Sequence, residues 1–306
     1  MNFRISFLLA ALCFFKIDSV EALDVQDYRF TNSYRYSILE DTSSERFKGK
    51  NTFTASFAHV SSPFYLINTV NNTLYQEIVK SYDMITLGGS YRYNPKLQFM
   101  VDTAVIKAKI LNEEETAIGD THLKAKYLVF GNKRHAFSFI PELVLSTGSE
   151  IAFTTRSGLG LVLRGTYEHH IGRLHFLGSL GYDSGSQNTF YNIDNTQLIL
   201  TELGFSLDII KNWNVNFEMT STYNLNTLAN QSKREGDYYI TVKNRTSLDF
   251  STYAGLGIAS LSAPDKMNKT FFLGLKYNFD NFKMAEKSRV ESETSEVDLN
   301  LNSSQL

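Results

Sequence analysis

Residues 271–279 read Phe-Phe-Leu-Gly-Leu-Lys-Tyr-Asn-Phe, and their alternation decides the fold. Phe271, Leu273, Leu275, Tyr277 and Phe279 fall on one face of an extended chain, with Gly274, Lys276 and Asn278 on the other. A strand points successive side chains to opposite sides, so this segment carries one apolar and one polar surface. Looser copies of the pattern return about every ten to fifteen residues from Asn51 onward.

Working back from that last copy, strands are expected at 51–60, 82–93, 97–110, 119–130, 136–147, 158–169, 173–183, 196–210, 213–224, 237–244, 247–259 and 269–279. Short connectors at Asn94-Pro95-Lys96, Gly131–Arg134, His170–Gly172, Lys211-Asn212 and Arg245-Thr246 hold turn-forming or polar residues. Longer ones occupy 61–81, 111–118, 148–157, 184–195, 225–236 and 260–268. Short turns on one side and long loops on the other, with an even strand number, are the asymmetry of an outer-membrane barrel. The expected fold is all-β: a transmembrane antiparallel up-and-down β-barrel of about twelve strands over residues 51–280.

A soluble sandwich would alternate in the same way, so the ends of the chain matter. Arg4, the apolar run Ile5–Phe15 and the small-residue site Val20-Glu21-Ala22 read as a cleaved signal peptide over 1–22. The apolar run falls short of the roughly 20 residues that a membrane-spanning helix requires. The only cysteine, Cys13, lies in that segment, so the mature chain is expected to have no disulfide, no cysteine metal site and no thiol nucleophile. Export without disulfides fits the outer membrane of a Gram-negative bacterium.

With a net charge of −2 and 20% charged residues, the chain shows no basic footprint for nucleic acid. Residues 23–50 are polar and aromatic (Tyr28, Phe30, Tyr34, Tyr36) without clean alternation, and read as an N-terminal leader, either a periplasmic element or a plug. From 281 to 306 the chain is rich in Ser, Glu and Lys and reads as a disordered periplasmic tail.

If the apolar face points to lipid, the other face lines a lumen. That assigns Arg92, Asp102, Asp120, His122, Lys124, Lys126, Glu142, Arg164 and Glu168 to the interior, followed by Arg173, His175, Glu202, Asp208, Asn216, Glu218, Lys243, Asp249 and Lys276. Ten of these are the candidate solute path: Arg92, Asp102, Asp120, Lys124, Lys126, Glu142, Arg164, Glu202, Glu218 and Lys276. Lys124, Lys126, Arg164 and Lys276 are expected to pair with Asp102, Glu142, Glu202 and Glu218. Such pairing fits a narrow charged channel and a sealed lumen equally well. Tyr91, Tyr93, Tyr127, Phe130, Tyr167, Tyr182, Trp213, Tyr223, Tyr277 and Phe279 gather near strand ends, where interface girdles sit. Pro141 is an irregularity inside the fifth expected strand.

These residues carry a resemblance. Ile118–Tyr127 (I-G-D-T-H-L-K-A-K-Y) resembles the G-D-x-x-L-x-x-K-Y stretch of the phenol-degradation meta-pathway outer-membrane family. Pro141–Gly148, Gly178–Tyr182, Ala254–Gly257, Ala263-Pro264-Asp265 and Phe272–Leu275 extend it over most of residues 80–280. The resemblance implies a bacterial outer-membrane barrel passing small, often hydrophobic or aromatic, compounds. Similar barrels precede a peptidoglycan-binding domain in outer-membrane-protein-A-like chains, whereas only a short tail follows Phe279 here. The Gly274, Tyr277, Phe279 spacing resembles the signal that closes such barrels and marks them for insertion.

The function read from the sequence is therefore a channel for small solutes. The alternative is a structural or surface-display barrel with a plugged lumen, its binding carried by long outer loops. Expected partners are membrane lipids and lipopolysaccharide, the barrel-assembly machinery, periplasmic chaperones and small solutes; no cofactor is expected. A minor alternative is a lipid-facing acyl hydrolase built on His59, Ser61 and Asp83, which share the outward face. Ser62-Pro63 stands where the outer-membrane phospholipase family carries Asn-Gly, and no oxyanion donor is identifiable, so no catalytic residue is assigned. His169 and His170 are adjacent, point to opposite faces and cannot share a metal ion.

Overall fold

The computed structural model describes residues 31, 33, 35–42, 50–68, 73–110, 113–132, 134–149, 155, 158–184, 189–190, 193–194, 197–225, 235–246, 249–260 and 268–280. The expected signal segment and C-terminal tail lie outside these residues, as do positions 43–49 of the leader.

The strands are β1 (Lys50–Asn68), β2 (Thr73–Asn94), β3 (Leu97–Ile110), β4 (Glu113–Ile118), β5 (Thr121–Gly131), β6 (His135–Leu145), β7 (Gly160–Ile171) and β8 (Leu174–Asp183). They continue with β9 (Thr189–Phe190), β10 (Ile193–Asp194), β11 (Leu198–Ile210), β12 (Trp213–Asn224), β13 (Glu235–Asn244), β14 (Phe250–Ser260) and β15 (Asn268–Asp280). Neighbours pair antiparallel in the order β2-β1-β15-β14-β13-β12-β11-β8-β7-β6-β5-β3, and β3 pairs back onto β2. The sheet is thus a closed barrel of twelve staves, sealed between first and last by the ladder Lys50↔Asp280 to Ser61↔Lys269. Closure leaves no open edge among the twelve staves, which hydrocarbon surroundings demand.

Two connectors expected as loops are instead strand. β1 and β2 run 19 and 22 residues, about twice the roughly 9–11 that a tilted membrane strand needs. Their hairpin therefore projects beyond the barrel. Ser62-Pro63 interrupts the alternation there, and the ladder shifts register between Ser61 and Phe64, since proline has no N–H to give. β4 hangs on the outer half of β3, Val105↔Ile118 to Ile110↔Glu113, while β5 takes the inner half, Leu97↔Tyr127 to Asp102↔His122. Gly119-Asp120 is the break between them.

At the short-turn end, side chains supply what the turns lack. The Asn94 carboxamide oxygen accepts from the N–H groups of Lys96 and Leu97, and Asn132 does the same for Arg134 and His135. Gly172 adopts φ +61° in the β7–β8 turn, a conformation that suits glycine. Pro141 sits on β6 opposite Leu163 of β7, and the β5–β6 ladder passes from Lys124↔Glu142 to Tyr127↔Phe139 around it.

The faces are inverted relative to a water-soluble protein. On β3, Phe99, Val101 and Val105 are about half exposed, while Gln98 and Asp102 are each 6% exposed. Leu203, Ile240 and Leu256 present similar apolar surface around the barrel. An apolar surface this continuous calls for lipid. Nine of the ten girdle aromatics expected at strand ends, all but Tyr182, are well exposed on it.

Candidate functional site: a lumen filled by the chain's own segment

The inward face divides into two arcs. One is apolar and aromatic: Ala58 and Val60 on β1, Tyr82 and Met84 on β2, Ala104 and Ile106 on β3, Tyr239 on β13, Tyr253 on β14 and Phe272 on β15 pack as one cluster. Three of its rings lie over glycines directly opposite on neighbouring strands, at Tyr253↔Gly274, Phe272↔Gly255 and Tyr239↔Gly257. A Cβ at Gly274 would stand 2.3 Å from the Tyr253 ring, so the glycine makes the space the ring occupies.

The other arc carries charge. Lys124 donates to Asp102 at 2.8 Å, Arg164 stands 3.4 Å from Glu202, and His122 Nδ1 lies 2.7 Å from Glu142 Oε1. These are wall-to-wall pairs, and desolvated charges have to be matched in this way. Asp120, fully buried at the long-loop end, accepts from Gly148 N–H and the Thr155 hydroxyl, fastening the loop after β6.

Several further lumen charges meet the described residues of the 31–42 segment, which lie inside the barrel in its short-turn half. Of the two readings of the leader, a periplasmic element or a plug, the position of these described residues is that of a plug. Glu218 of β12 accepts three consecutive backbone N–H groups, from Ser37 (3.0 Å), Ile38 (2.8 Å) and Leu39 (2.9 Å). Successive amides converging on one anion form a backbone nest. Lys126 reaches Glu40 at 2.7 Å and Asp41 at 3.3 Å. Arg35 donates to Asp208 at 2.8 Å, where Arg245 also arrives at 3.2 Å.

The plug backbone is held as well. Lys243 and Lys276 both donate to the Ser33 carbonyl at 3.1 Å, Asn216 donates to the Arg35 carbonyl at 2.7 Å, and Ser138 to the Thr42 carbonyl at 3.0 Å. The Thr42 hydroxyl donates to Glu168, and Tyr36 OH donates to the His175 carbonyl. Apolar contact completes the seat: Tyr36, Ile38 and Leu39 join the aromatic cluster. A Cβ at Gly204 would lie 2.7 Å from the Tyr36 ring and 2.9 Å from Leu39. Burial raises the Glu40 carboxyl, but the Lys126 and Lys124 ammonium groups more than offset this, holding it below the usual 4.5.

All ten expected path residues face inward: Arg92, Asp102, Asp120, Lys124, Lys126, Glu142, Glu202, Glu218 and Lys276 are buried and Arg164 nearly so. Two of the expected pairings form and the others do not. Lys124–Asp102 and Arg164–Glu202 pair within the wall, whereas Lys126, Glu218 and Lys276 turn to the plug and Glu142 to His122. Arg173 and Asp249, assigned to the lumen by parity, lie exposed at the short turns, where alternation ends. The signal for the plug was present but faint, in Tyr36, Ile38, Leu39 and the acidic pair Glu40-Asp41 within a leader that has no strand pattern of its own.

Of the expected closing signal, Gly274 faces the lumen and Tyr277 and Phe279 face outward, stacked with ring centroids 6.2 Å apart. His59 does meet Asp83, Nδ1 to Oδ1 2.7 Å, on the outer face. Ser61, however, gives its hydroxyl to the Lys269 carbonyl and accepts from the Lys269 N–H, so its recorded bonds run to backbone and not to His59. His169 and His170 lie on opposite faces; His169 stacks on His135, and His170 Nδ1 lies 2.6 Å from His175 Nδ1. Among the described residues, no group of three His, Cys, Asp or Glu is arranged to hold a metal ion.

Solved structures place this architecture. An outer membrane channel of the COG4313 group from Pseudomonas putida F1 superposes with TM-score 0.60 at 13% identity, covering 82% of this chain and all of its own. The NanC porin superposes with TM-score 0.52 at 9% identity, covering 74% of this chain and 98% of its own. Both establish the fold as an outer-membrane β-barrel. No curated protein matches the sequence significantly. The family described as "Putative MetA-pathway of phenol degradation" matches residues 65–280, most of the barrel, and the chain belongs to that family.

Proposed function

We propose that the protein is a channel for small solutes in the outer membrane of a Gram-negative bacterium, and that its path is closed by residues 31–42 in the conformation described. The observation that carries this reading is the nature of the obstruction. The short-turn half of the lumen is occupied by a segment outside the sheet, and departure of a segment that makes no ladder bonds would leave the sheet of the wall intact. The P. putida outer membrane channel and the NanC porin, both on the same fold, support passage. The aromatic arc around Tyr82, Tyr239, Tyr253 and Phe272 and the family description support a small hydrophobic or aromatic solute.

The same reading includes export by a cleaved signal peptide over 1–22, delivery by periplasmic chaperones, and insertion by the assembly machinery through the last strand with Gly274, Tyr277 and Phe279. Lipopolysaccharide then surrounds the long-loop end. Planar-bilayer conductance and uptake of a phenolic solute into proteoliposomes test the function. Folded full-length protein should give discrete openings and solute entry. A folded protein that gives neither would leave the second reading, a structural or display barrel. The many bonds that seat the segment in the lumen, among them those of Glu218 and Lys126, favour that alternative.

A further inference from the structure

The plug is held unlike a piece of ordinary core. The described residues between 31 and 42 contribute no strand to the barrel. The wall nevertheless reads their main chain closely: three N–H groups enter the Glu218 nest, and the Ser33, Arg35 and Thr42 carbonyls are each met by a lysine, an asparagine or a serine. The segment is bent, with the Thr31 N–H donating to the Ser37 carbonyl, and it presents its main chain to the wall. Backbone capture of this kind is one way proteins bind peptides, with side-chain pockets adding selectivity. Three such pockets are present. Asp208 takes the Arg35 guanidinium, Gly204 leaves room for Tyr36 and Leu39, and Lys126 takes the Glu40-Asp41 pair.

Lys126 draws both its ion pairs from the segment, and Glu218 draws three of its donors from there. An occupant of the same chemistry is needed to match them whenever the segment leaves, because buried ions without partners are costly.

We propose that the short-turn half of the lumen is a peptide-docking site that holds the chain's own residues 35–42 as a releasable blocker. A peptide of the same pattern, bent in the same way, binds it in trans: a basic residue, then Tyr-x-Ile-Leu, then an acidic pair. The tethered copy wins under ordinary conditions because tethering raises its local concentration to about the millimolar range. Docking of the segment closes the path, so the inference rests on the channel reading for its functional meaning. Its test does not depend on conductance, and the two therefore fail separately.

The experiment uses the full chain with its own segment weakened by charge reversal, Arg35→Glu with Glu40→Lys, which leaves every wall residue unchanged. Heat-modifiable mobility on gels confirms that the barrel has folded. A synthetic peptide of residues 33–42 carrying a fluorophore is then titrated in detergent and followed by anisotropy. Saturable binding to the reversed variant is expected, at least about tenfold tighter than to the unaltered protein, whose own segment competes. Adding Glu218→Gln in the wall should weaken that binding by about tenfold or more. A folded variant that binds no peptide, or binds a peptide with both acidic residues changed to lysine equally well, overturns the proposal and makes the segment a fixed part of the interior.

Discussion

Lys124 and Lys126 stand two residues apart on β5, both face the lumen and both are buried, yet their partners differ in origin. Lys124 meets Asp102 on the adjoining strand β3, a partner the barrel wall supplies. Lys126 meets Glu40 and Asp41, which the wall does not supply. The boundary between a self-sufficient outer half of the lumen and an inner half completed by the N-terminal segment therefore falls between these two side chains. A charge matched within the wall secures the barrel; a charge matched by a removable segment secures a state of the barrel.

That comparison can be broken from either side. The largest effect is expected for Asp102→Leu, which strands the Lys124 ammonium in the wall and should lower unfolding stability by about 3–5 kcal/mol. Restoring neutrality with Lys124→Met should recover most of it, and protection of the plug from protease should stay unchanged throughout. Glu218→Gln acts on the other half. It keeps an acceptor but removes the charge beneath three N–H groups, so plug docking should weaken by about 2–3 kcal/mol, read as faster hydrogen exchange at Ser37, Ile38 and Leu39.

A matched pair of glycine substitutions sharpens the contrast. Gly204→Ala meets the Tyr36 ring and should cost the docked segment about 1–3 kcal/mol; Gly274→Ala meets the Tyr253 ring and should cost the wall a similar amount. Protease sensitivity of the segment should report the first, and the heat-unfolding midpoint of the barrel the second.

Acid should favour the wall over the plug. Because the Glu40 carboxyl lies below its usual 4.5, its contribution to docking is complete above that value and is lost as pH falls through the lowered one. Protection of residues 35–42, taken relative to the intrinsic exchange rate at each pH, should therefore fall on acidification below about 4.5. The smallest effect is expected for Ser61→Ala, within about 0.5 kcal/mol of the unaltered barrel. Loss of lipid hydrolysis in that variant would instead revive the acyl-hydrolase alternative.

Much of this was legible because a two-residue period leaves little freedom. Once Leu273 and Tyr277 are assigned to lipid, Lys276 has to face inward, and the same parity places Asp102, Lys124 and Glu218. Parity ceases to apply where strands end, which is why Arg173 and Asp249 left the lumen for the turns. It also says nothing about partners from outside the sheet. Lys126 and Glu40 are 86 residues apart, and no local pattern joins them. The β1–β2 hairpin was missed for a third reason: Ser62 and Pro63 break the alternation while the backbone accommodates them by changing register.

The seam between β1 and β15 sets an order of events. Thr52 and Asn278, whose side chains bond at 3.1 Å across it, are separated by 226 residues, so the barrel's first strand waits for its last. Throughout that wait β1 offers an unpaired edge, and contacts so distant in sequence form slowly. The plug lies N-terminal to β1 and ends up encircled by the finished wall. Residues 31–42 therefore either lie in place before the seam closes, as a thread laid in a purse before the string is drawn, or pass through the finished mouth afterwards. Adding the residue 33–42 peptide before or after refolding would distinguish these two histories.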